Sequence, residues 1–520
     1  MLGTNSETTM STEPNNQEQL IAPPSQPRFI ETGEATAIMP VAGGKVSPIT
    51  VIGTAAIRAD FDDLCIKQAI NSRLAPGVTD IVLNPDAHAG YGAPIGCVLV
   101  PPTHIYPGPV GVDIKCSMSL LQLDLPEDAV ADKRTRRALI DAILERTPTG
   151  AGRGYREARK GRYVDATLGK KVVTEGASDG VLSELGIPTD WAQRCEDSHH
   201  TGHDGSVDAL RARLDLLTTG GNAGDVFRSK VGQLGSYGGG NHFGECEIVH
   251  VEQTDRARDA AAVFGLRDGH VAFLSHCGSR GWGALLADGQ FKSMQKKFAD
   301  WGIPLPGGDR HMVHAPLGSP EANAYLDDMA LGANFATVNH MIINALVLEA
   351  FQEVMPGVQG HLVYFISHNI ARKEIVNNKP AWVHRKGATR AFPGGHHALK
   401  ETPFAATGHP ILLPGNPQDG SAVMVAEEGA SLSCYSVNHG AGRRMSRTAA
   451  NKSLNQKEID KSFDDADILT NCRNYPRDEA PRAYKDFEEV LNSVKRAGLA
   501  SEVARLKARF VIKDGDKADD

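Results

Sequence analysis

Four short apolar runs bounded by turn residues recur along the chain: Ile81-Val82-Leu83, Cys97-Val98-Leu99-Val100, Val271-Ala272-Phe273-Leu274 and His361-Leu362-Val363-Tyr364-Phe365-Ile366. Their length and the Gly and Pro between them predict buried strands. A different period governs 321–355. There Leu326, Met329, Ala330, Ala333, Met341, Ile342, Ala345 and Leu346 fall at spacings near three and four, which predicts a long helix. A second helical pattern is read over 484–509. Residues 1–37 are polar and rich in Asn, Thr, Glu, Gln and Pro, the composition of a disordered tail. The folded part is expected over 38–513, with a polar surface insertion at 150–205 and a charged tail at 514–520. Strands and helices follow one another in mixed order, so the expected class is α+β, with mixed sheets flanked by helices.

Composition changes this picture in three places. At roughly 150 residues per domain, 520 residues suggest about three domains. No long linker divides the chain after residue 40, however, and no internal repeat is visible. The balance of 55 basic against 63 acidic side chains, net −8, argues against gripping nucleic acid through bulk positive charge. A hydrophobic share of 41% and a charged share of 23% suit a folded soluble protein. No run approaches the ~20 apolar residues of a membrane span, and the N-terminal stretch has no signal-peptide pattern. The eight cysteines are dispersed, with no C-x-x-C pair, which reads as reduced thiols in a cytoplasmic protein. The 54 glycines lack a G-X-Y period and suggest many tight turns and close backbone approaches to ligands.

Candidate chemistry sits in six stretches. Asp86 and His88, two apart in an extended segment, point the same way; the alternative reading of Asp86 is a turn cap. Asp113 and Cys116, three apart, can share a metal in a helical turn or tight loop, or Cys116 is an ordinary buried thiol. Gly238-Gly239-Gly240 exposes backbone N–H groups ahead of Asn241, His242 and Glu245. His276 and His368 each follow a predicted strand, as ligands or as hydrogen-bonded structural residues. Together Asp113, Cys116, His242, His276 and His368 make a mixed O, S and N set that suits zinc, iron, cobalt or manganese. Five donors exceed a closed four-ligand site, and a two-metal centre with bridging thiolate is the simple solution if they converge. His439, followed by glycines and by Arg443, Arg444 and Arg447, has the composition of a phosphate site and is a candidate phosphoramidate-forming nucleophile, or a loop histidine before a basic helix. Basic residues also cluster at 153–162 and 384–390. A G-x-S-x-G match at 176–180 has no preceding strand and is taken as chance.

The ordered series DAHAGYGAPIG, GVDIKC, GGGNHFGE, SHCGSRG, SHNIA, RKGATR and NHGAGRRMSR resembles the RtcB family of RNA ligases over about residues 40–513. The resemblance implies one large catalytic domain and GTP- and Mn²⁺-dependent joining of an RNA 3′-phosphate or 2′,3′-cyclic phosphate to a 5′-hydroxyl, in tRNA splicing or RNA repair. It implies two Mn²⁺ ions, one held by Asp113, Cys116 and His242, the other by Cys116, His276 and His368. It implies His439 as the residue guanylylated by GTP. Asn241, Glu245, Asn416, Ser421, Gly440, Gly442, Arg443, Tyr484 and Lys513 become nucleotide-binding candidates, with Tyr484 stacking on guanine. Asp86, His88, Arg280, Arg385, Lys386, Arg390 and Arg447 become candidates for RNA contacts. The expected partners are RNA and an archease-like activator, with no membrane, and the expected state is a monomer. The family's P-G-S-M-G-T turn is here Pro414-Gly415-Asn416-Pro417-Gln418-Asp419. That departure motivates an alternative: a metal-dependent phosphoesterase, or RNA-binding relative, that has lost guanylylation.

Overall fold

The computed structural model describes residues 28–42 and 46–517. Each predicted run lies in a strand: Asp80–His88, Ile95–Val100, His270–Cys277 and Gly360–Ser367. The runs are continuously apolar because both faces are covered; in His270–Cys277 every residue after the first is buried. A seven-stranded sheet has the order Ile30–Gly33, Thr36–Met39, Ile49–Ile52, Asp80–His88, Ile95–Val100, Lys379–Lys386, Asn369–Val376. A second, eight-stranded sheet runs Gly360–Ser367, Ser117–Pro126, His270–Cys277, Phe243–Val251, Ala500–Lys513, Gly420–Ala426, Pro410–Asn416, with Leu469–Thr470 beside Ala500–Lys513. Helices pack around these sheets, so the class is α+β.

The long helix is Pro320–Val354. Ser319 caps it by accepting from the Ala322 N–H, and proline holds its first position. It is long and apolar enough to cross a membrane, but 94% of its most apolar window is buried inside the protein. Asn334, Thr337, Asn339, His340 and Asn344 interrupt its apolar run. All five are buried and fasten neighbouring segments.

Three expectations are corrected. The helical pattern over 484–509 is a helix only over Phe487–Arg496, followed by the strand Ala500–Lys513. Gly498, at φ +69°, ends the helix. Beyond it Ala504, Leu506, Ala508, Phe510 and Ile512 are buried at a spacing of two, the strand period. The polar tail does not extend to residue 37: Ile30–Gly33 and Thr36–Met39 form an edge hairpin, with Ala37 and Met39 turned into the core. The disorder expected of residues 1–27 lies outside the described residues, as do 518–520. The stretch 150–205 is no surface excursion. It carries the helices Ala166–Glu175 and Asp179–Glu184, whose Leu168, Val172, Val173, Val181 and Leu182 join the core around Pro320–Val354. The chance G-x-S-x-G match has a local role there: Gly176 ends the first helix and Ser178 caps the second.

Candidate active site

Strand register brings the candidate ligands together. In the larger sheet Ser117 pairs with Cys277 on one side and Ser367 on the other, while Met118 and Phe243 both pair with His276. Cys116, His242 and His368 each lie one residue beyond those pairs, so four adjacent strand ends deliver four side chains to one place. The Cys116 Sγ is 3.2 Å from His276 Nε2 and 3.5 Å from His242 Nε2. His276 Nε2 is 3.4 Å from His368 Nε2, and His242 Nε2 is 2.9 Å from Asp113 Oδ2. Asp113 enters from a tight loop in which the Cys116 N–H donates to the Asp113 carbonyl at 3.1 Å. Its carboxylate also accepts from the Ser279 N–H at 3.1 Å. Gly278 is required beside it, since a Cβ there would sit 2.4 Å from both carboxylate oxygens. The long helix fastens the surrounding loops. Asn339 accepts from the Gly235 N–H at 2.8 Å, and His340 Nε2 lies 3.0 Å from the Cys277 carbonyl oxygen.

The ligand atoms form two groups, Asp113–Cys116–His242 and Cys116–His276–His368, each within 4.8 Å, with Cys116 common to both. Burial holds the His276 and His368 imidazoles well below their usual range, hence neutral, as metal ligands must be. Burial also pushes the Cys116 thiol up, so a bound cation would displace its proton. For Asp113, burial pulls upward, but the hydrogen bond and charge of His242 hold it at about 2. Burial pulls His242 down, but Cys277 and Asp113 beside it raise it to about 9, so a bound cation would displace its proton as well. With neutral His276 and His368, a buried thiol and an ionised carboxylate in contact distance, the donor set fits a metal centre.

His439 faces this cluster from a separate two-stranded sheet, Ala388–Arg390 with Ser436–Asn438. It follows the strand Ser436–Asn438, whose Asn438 pairs with Ala388. Its ring centroid lies 4.7 Å from that of His368. Nδ1 sits 2.7 Å from Asp86 Oδ2 and 2.8 Å from the Gly387 carbonyl oxygen. A carbonyl only accepts, so Nδ1 carries a proton, and in the neutral ring Nε2 is the nitrogen with the lone pair. Gly442, at φ +75°, lets this loop lie against Asp86: a Cβ would meet the Asp86 carbonyl oxygen at 2.4 Å. Asn369, a site residue the sequence reading missed, joins the two halves. Its Nδ2 donates to the Asp113 carbonyl at 3.3 Å, and its Oδ1 accepts from the Gly387 N–H at 2.9 Å. The only sequence signal was its place directly after His368.

A cavity of about 1320 Å³ opens over both groups and runs on to a second cluster centred on Glu479. Glu479 was also missed, because no local pattern marks it. Its buried carboxylate accepts from the Tyr484 hydroxyl at 2.7 Å and lies 3.2 Å from Lys513 Nζ. Arg443 and Arg447 pair with the same carboxylate, and the Arg443 guanidinium lies 5.4 Å from the Tyr484 ring centroid. Burial raises Glu245, beside Lys513, to about 8. Asn241, Glu245, Asn416, Ser421, Gly440, Gly442, Arg443, Tyr484 and Lys513 all line this cavity. Asn416 turns its side chain back on its own hairpin, accepting from the Gln418 and Asp419 N–H groups.

The candidates for RNA contacts separate. His88, Arg280, Lys386 and Arg447 line the cavity. Arg280 shares its guanidinium among the Gly150 and Arg153 carbonyls and the Ser236 hydroxyl. Asp86 belongs to His439. Arg385 is 1% exposed and forms a two-point ion pair with Glu374. Arg390 pairs with Glu196, Asp197 and Glu374. Arg385 and Arg390 are therefore interior cross-links, not groups held out to RNA phosphate. Much of the 153–162 patch is likewise paired: Lys160 with Glu145 and Glu353, Arg162 with Glu349.

A histidine with one nitrogen held by Asp86 and Gly387 and the other facing a metal-type donor cluster can act as a nucleophile or base beside a bound metal. Comparison with known proteins narrows that chemistry. Residues 68–514 match the family model described as tRNA-splicing ligase RtcB. The tRNA-splicing ligase RtcB of Pyrobaculum aerophilum is 33% identical over 470 residues, 87% of this chain and 91% of that protein. The RNA-splicing ligase RtcB of Mycobacterium bovis is 33% identical over 452 residues, 84% of this chain and 98% of that protein. RNA-splicing ligase RtcB homolog 1 of Entamoeba dispar is 33% identical over 468 residues, 86% of this chain and 82% of that protein. The chain belongs to the RtcB family of RNA ligases.

Proposed function

We propose that this ligase joins an RNA 3′-phosphate or 2′,3′-cyclic phosphate to a 5′-hydroxyl through a guanylylated His439, using GTP and two Mn²⁺ ions. The observation that carries the reading is the pairing of His439 Nδ1 with Asp86 and Gly387, which leaves Nε2 free beside His368. Nε2 attacks the α-phosphorus of GTP, an N–P bond forms, and the bond to pyrophosphate breaks. The ring then carries positive charge, which the Asp86 carboxylate and Gly387 carbonyl stabilise through Nδ1–H. An oxygen of the RNA 3′-phosphate next attacks the same phosphorus and frees Nε2. The 5′-hydroxyl attacks the activated RNA phosphorus, loses its proton and releases GMP. A cyclic phosphate must first be opened by water. Metal at the two Cys116-sharing groups, when bound, neutralises phosphate charge.

Asp113, Cys116 and His242 would hold one ion and Cys116, His276 and His368 the other. Glu245, Tyr484 and Lys513 would receive guanine, with Arg443 nearby for phosphate. The same reading includes an archease-like activator, a monomeric state and a cytoplasmic location; eight unbridged cysteines fit a reducing compartment. Incubation with Mn²⁺ and α-labelled GTP, followed by denaturing electrophoresis, tests it. Covalent label is expected on the wild type and absent from His439→Ala. An unlabelled wild type, or label surviving in His439→Ala, would overturn the reading in favour of a phosphoesterase or RNA-binding relative.

A further inference from the structure

We propose that Tyr91 is a stacking platform for a nucleobase at an RNA end held in the cavity. Among the described residues several large apolar side chains are exposed, and of these only Tyr91, 53% exposed, lines this cavity. Its loop is held rigidly. Gln68 bonds Gly90 in both directions, Nε2 to the carbonyl at 2.7 Å and the Gly90 N–H to Oε1 at 3.0 Å. The Gly92 N–H donates to Asp309 Oδ2 at 3.0 Å, and the buried Lys386 ammonium donates to the Tyr91 carbonyl. The ring itself is seated. The Lys386 ammonium lies over one side at 5.0 Å from the centroid, and the His311 ring is 5.3 Å away at 37°.

A tyrosine placed only to cover Lys386 would gain by lying flat and buried. This one stands open on a backbone tied to Gln68, Asp309 and Lys386. Fixing the ring beforehand reduces the ordering entropy lost when a planar ligand docks. Stacking on an aromatic face is tolerant of base identity, which suits an enzyme that must accept ends of varied sequence. The position also fits. Lys386 precedes Gly387, whose carbonyl holds His439, so platform and nucleophile are carried by the same short segment.

The inference rests on the RNA-end-joining reading and is tested separately from it. Short single-stranded RNAs carry 2-aminopurine either at the nucleotide bearing a 3′-phosphate or at the one bearing the 5′-hydroxyl, and binding is followed without GTP. Stacking quenches the fluorophore. Quenching by wild type and Tyr91→Phe is expected in one arm, which identifies the strand. Tyr91→Leu, which keeps bulk but not the aromatic face, should lose the quenching and weaken binding by roughly 5- to 100-fold. Melting temperature and metal content of each variant report folding. If wild type quenches neither probe, or Tyr91→Leu quenches and binds like wild type, the platform is excluded. Failure of GTP to label the wild type would instead sink the guanylylation reading, while the fluorescence still decides the platform.

Discussion

The carboxylate of Asp86 lies 2.7 Å from His439 Nδ1, across 353 positions of sequence. Asp86 is fully buried at the end of Asp80–His88, so its orientation is set by the sheet rather than by solvent. The pair fixes the tautomer and aims Nε2. Asp86→Ala should therefore lower the rate of His439 guanylylation by about 10²–10³-fold, with GTP affinity much less changed. Asp86→Asn, which keeps an acceptor but not the charge, should fall between. Single-turnover labelling at saturating GTP is the measurement, and equal rates for Asp86→Ala and wild type would falsify the positioning role.

Cys116 belongs to both ligand groups, whereas Asp113 and His368 belong to one each. Cys116→Ala should thus reduce bound Mn²⁺ from two per chain to one or none, and His368→Ala should leave about one. Elemental analysis after loading and desalting gives the count. Retention of two ions by Cys116→Ala would contradict the shared-ligand geometry.

Asn369 ties the Asp113 loop to Gly387, and Gly387 to His439. Asn369→Ala leaves the Gly387 N–H without its partner, while the Asp113 carbonyl keeps the Cys116 N–H, costing about 1–3 kcal/mol. It should slow both guanylylation and ligation while the protein stays folded. The labelling assay, paired with thermal melting, checks this; full activity would show that the tie is dispensable.

Arg385 separates packing from RNA contact. Its guanidinium is buried against Glu374, and removing it takes away that carboxylate's two-point partner, leaving the longer Arg390 contact at 3.3 Å. Arg385→Ala should destabilise the fold by about 3–5 kcal/mol. The salt dependence of RNA binding, measured on the folded fraction, should not change. A stable variant with a shallower salt slope would return Arg385 to the RNA surface.

What the sequence could show follows from what is local. Continuous apolar runs such as Val271–Leu274 and the three-and-four spacing around Met341 and Ile342 carry their own geometry, so strand and helix were legible there. Cys116, His242, His276 and His368 were legible as residue types at strand ends, but their meeting depends on the register of Ser117, Phe243 and Ser367 across three strand pairs. Asn369 acts through Asp113, 256 positions away, and Glu479 gathers Arg443, Arg447, Tyr484 and Lys513 from separate segments on either side of it; neither leaves a local pattern. The segment 484–509 misled because its first half is helical and its alternation starts only beyond Gly498. The basic run 385–390 misled for another reason: composition records charge but not its partner, and Glu196, Asp197 and Glu374 neutralise it from elsewhere in the chain.

Glu245 makes nucleotide affinity depend on pH. Burial raises it to about 8, even with Lys513 nearby pulling it down, so the free enzyme holds much of it protonated at neutral pH. Guanine offers N–H donors that need an ionised acceptor, so binding is coupled to loss of that proton. GTP affinity should rise with pH between about 6 and 8, by at most about tenfold per unit, and level off above. Stability has the opposite sign: the folded-state value is raised above 4.5, so this contribution is lost as pH rises from about 4.5 to 8 and is level above. Glu245→Gln should flatten the affinity profile and remove that part of the loss of stability. Equilibrium binding of GTP and thermal melting from pH 6 to 9 measure the two effects. A wild-type affinity profile as flat as that of Glu245→Gln would remove Glu245 from guanine recognition.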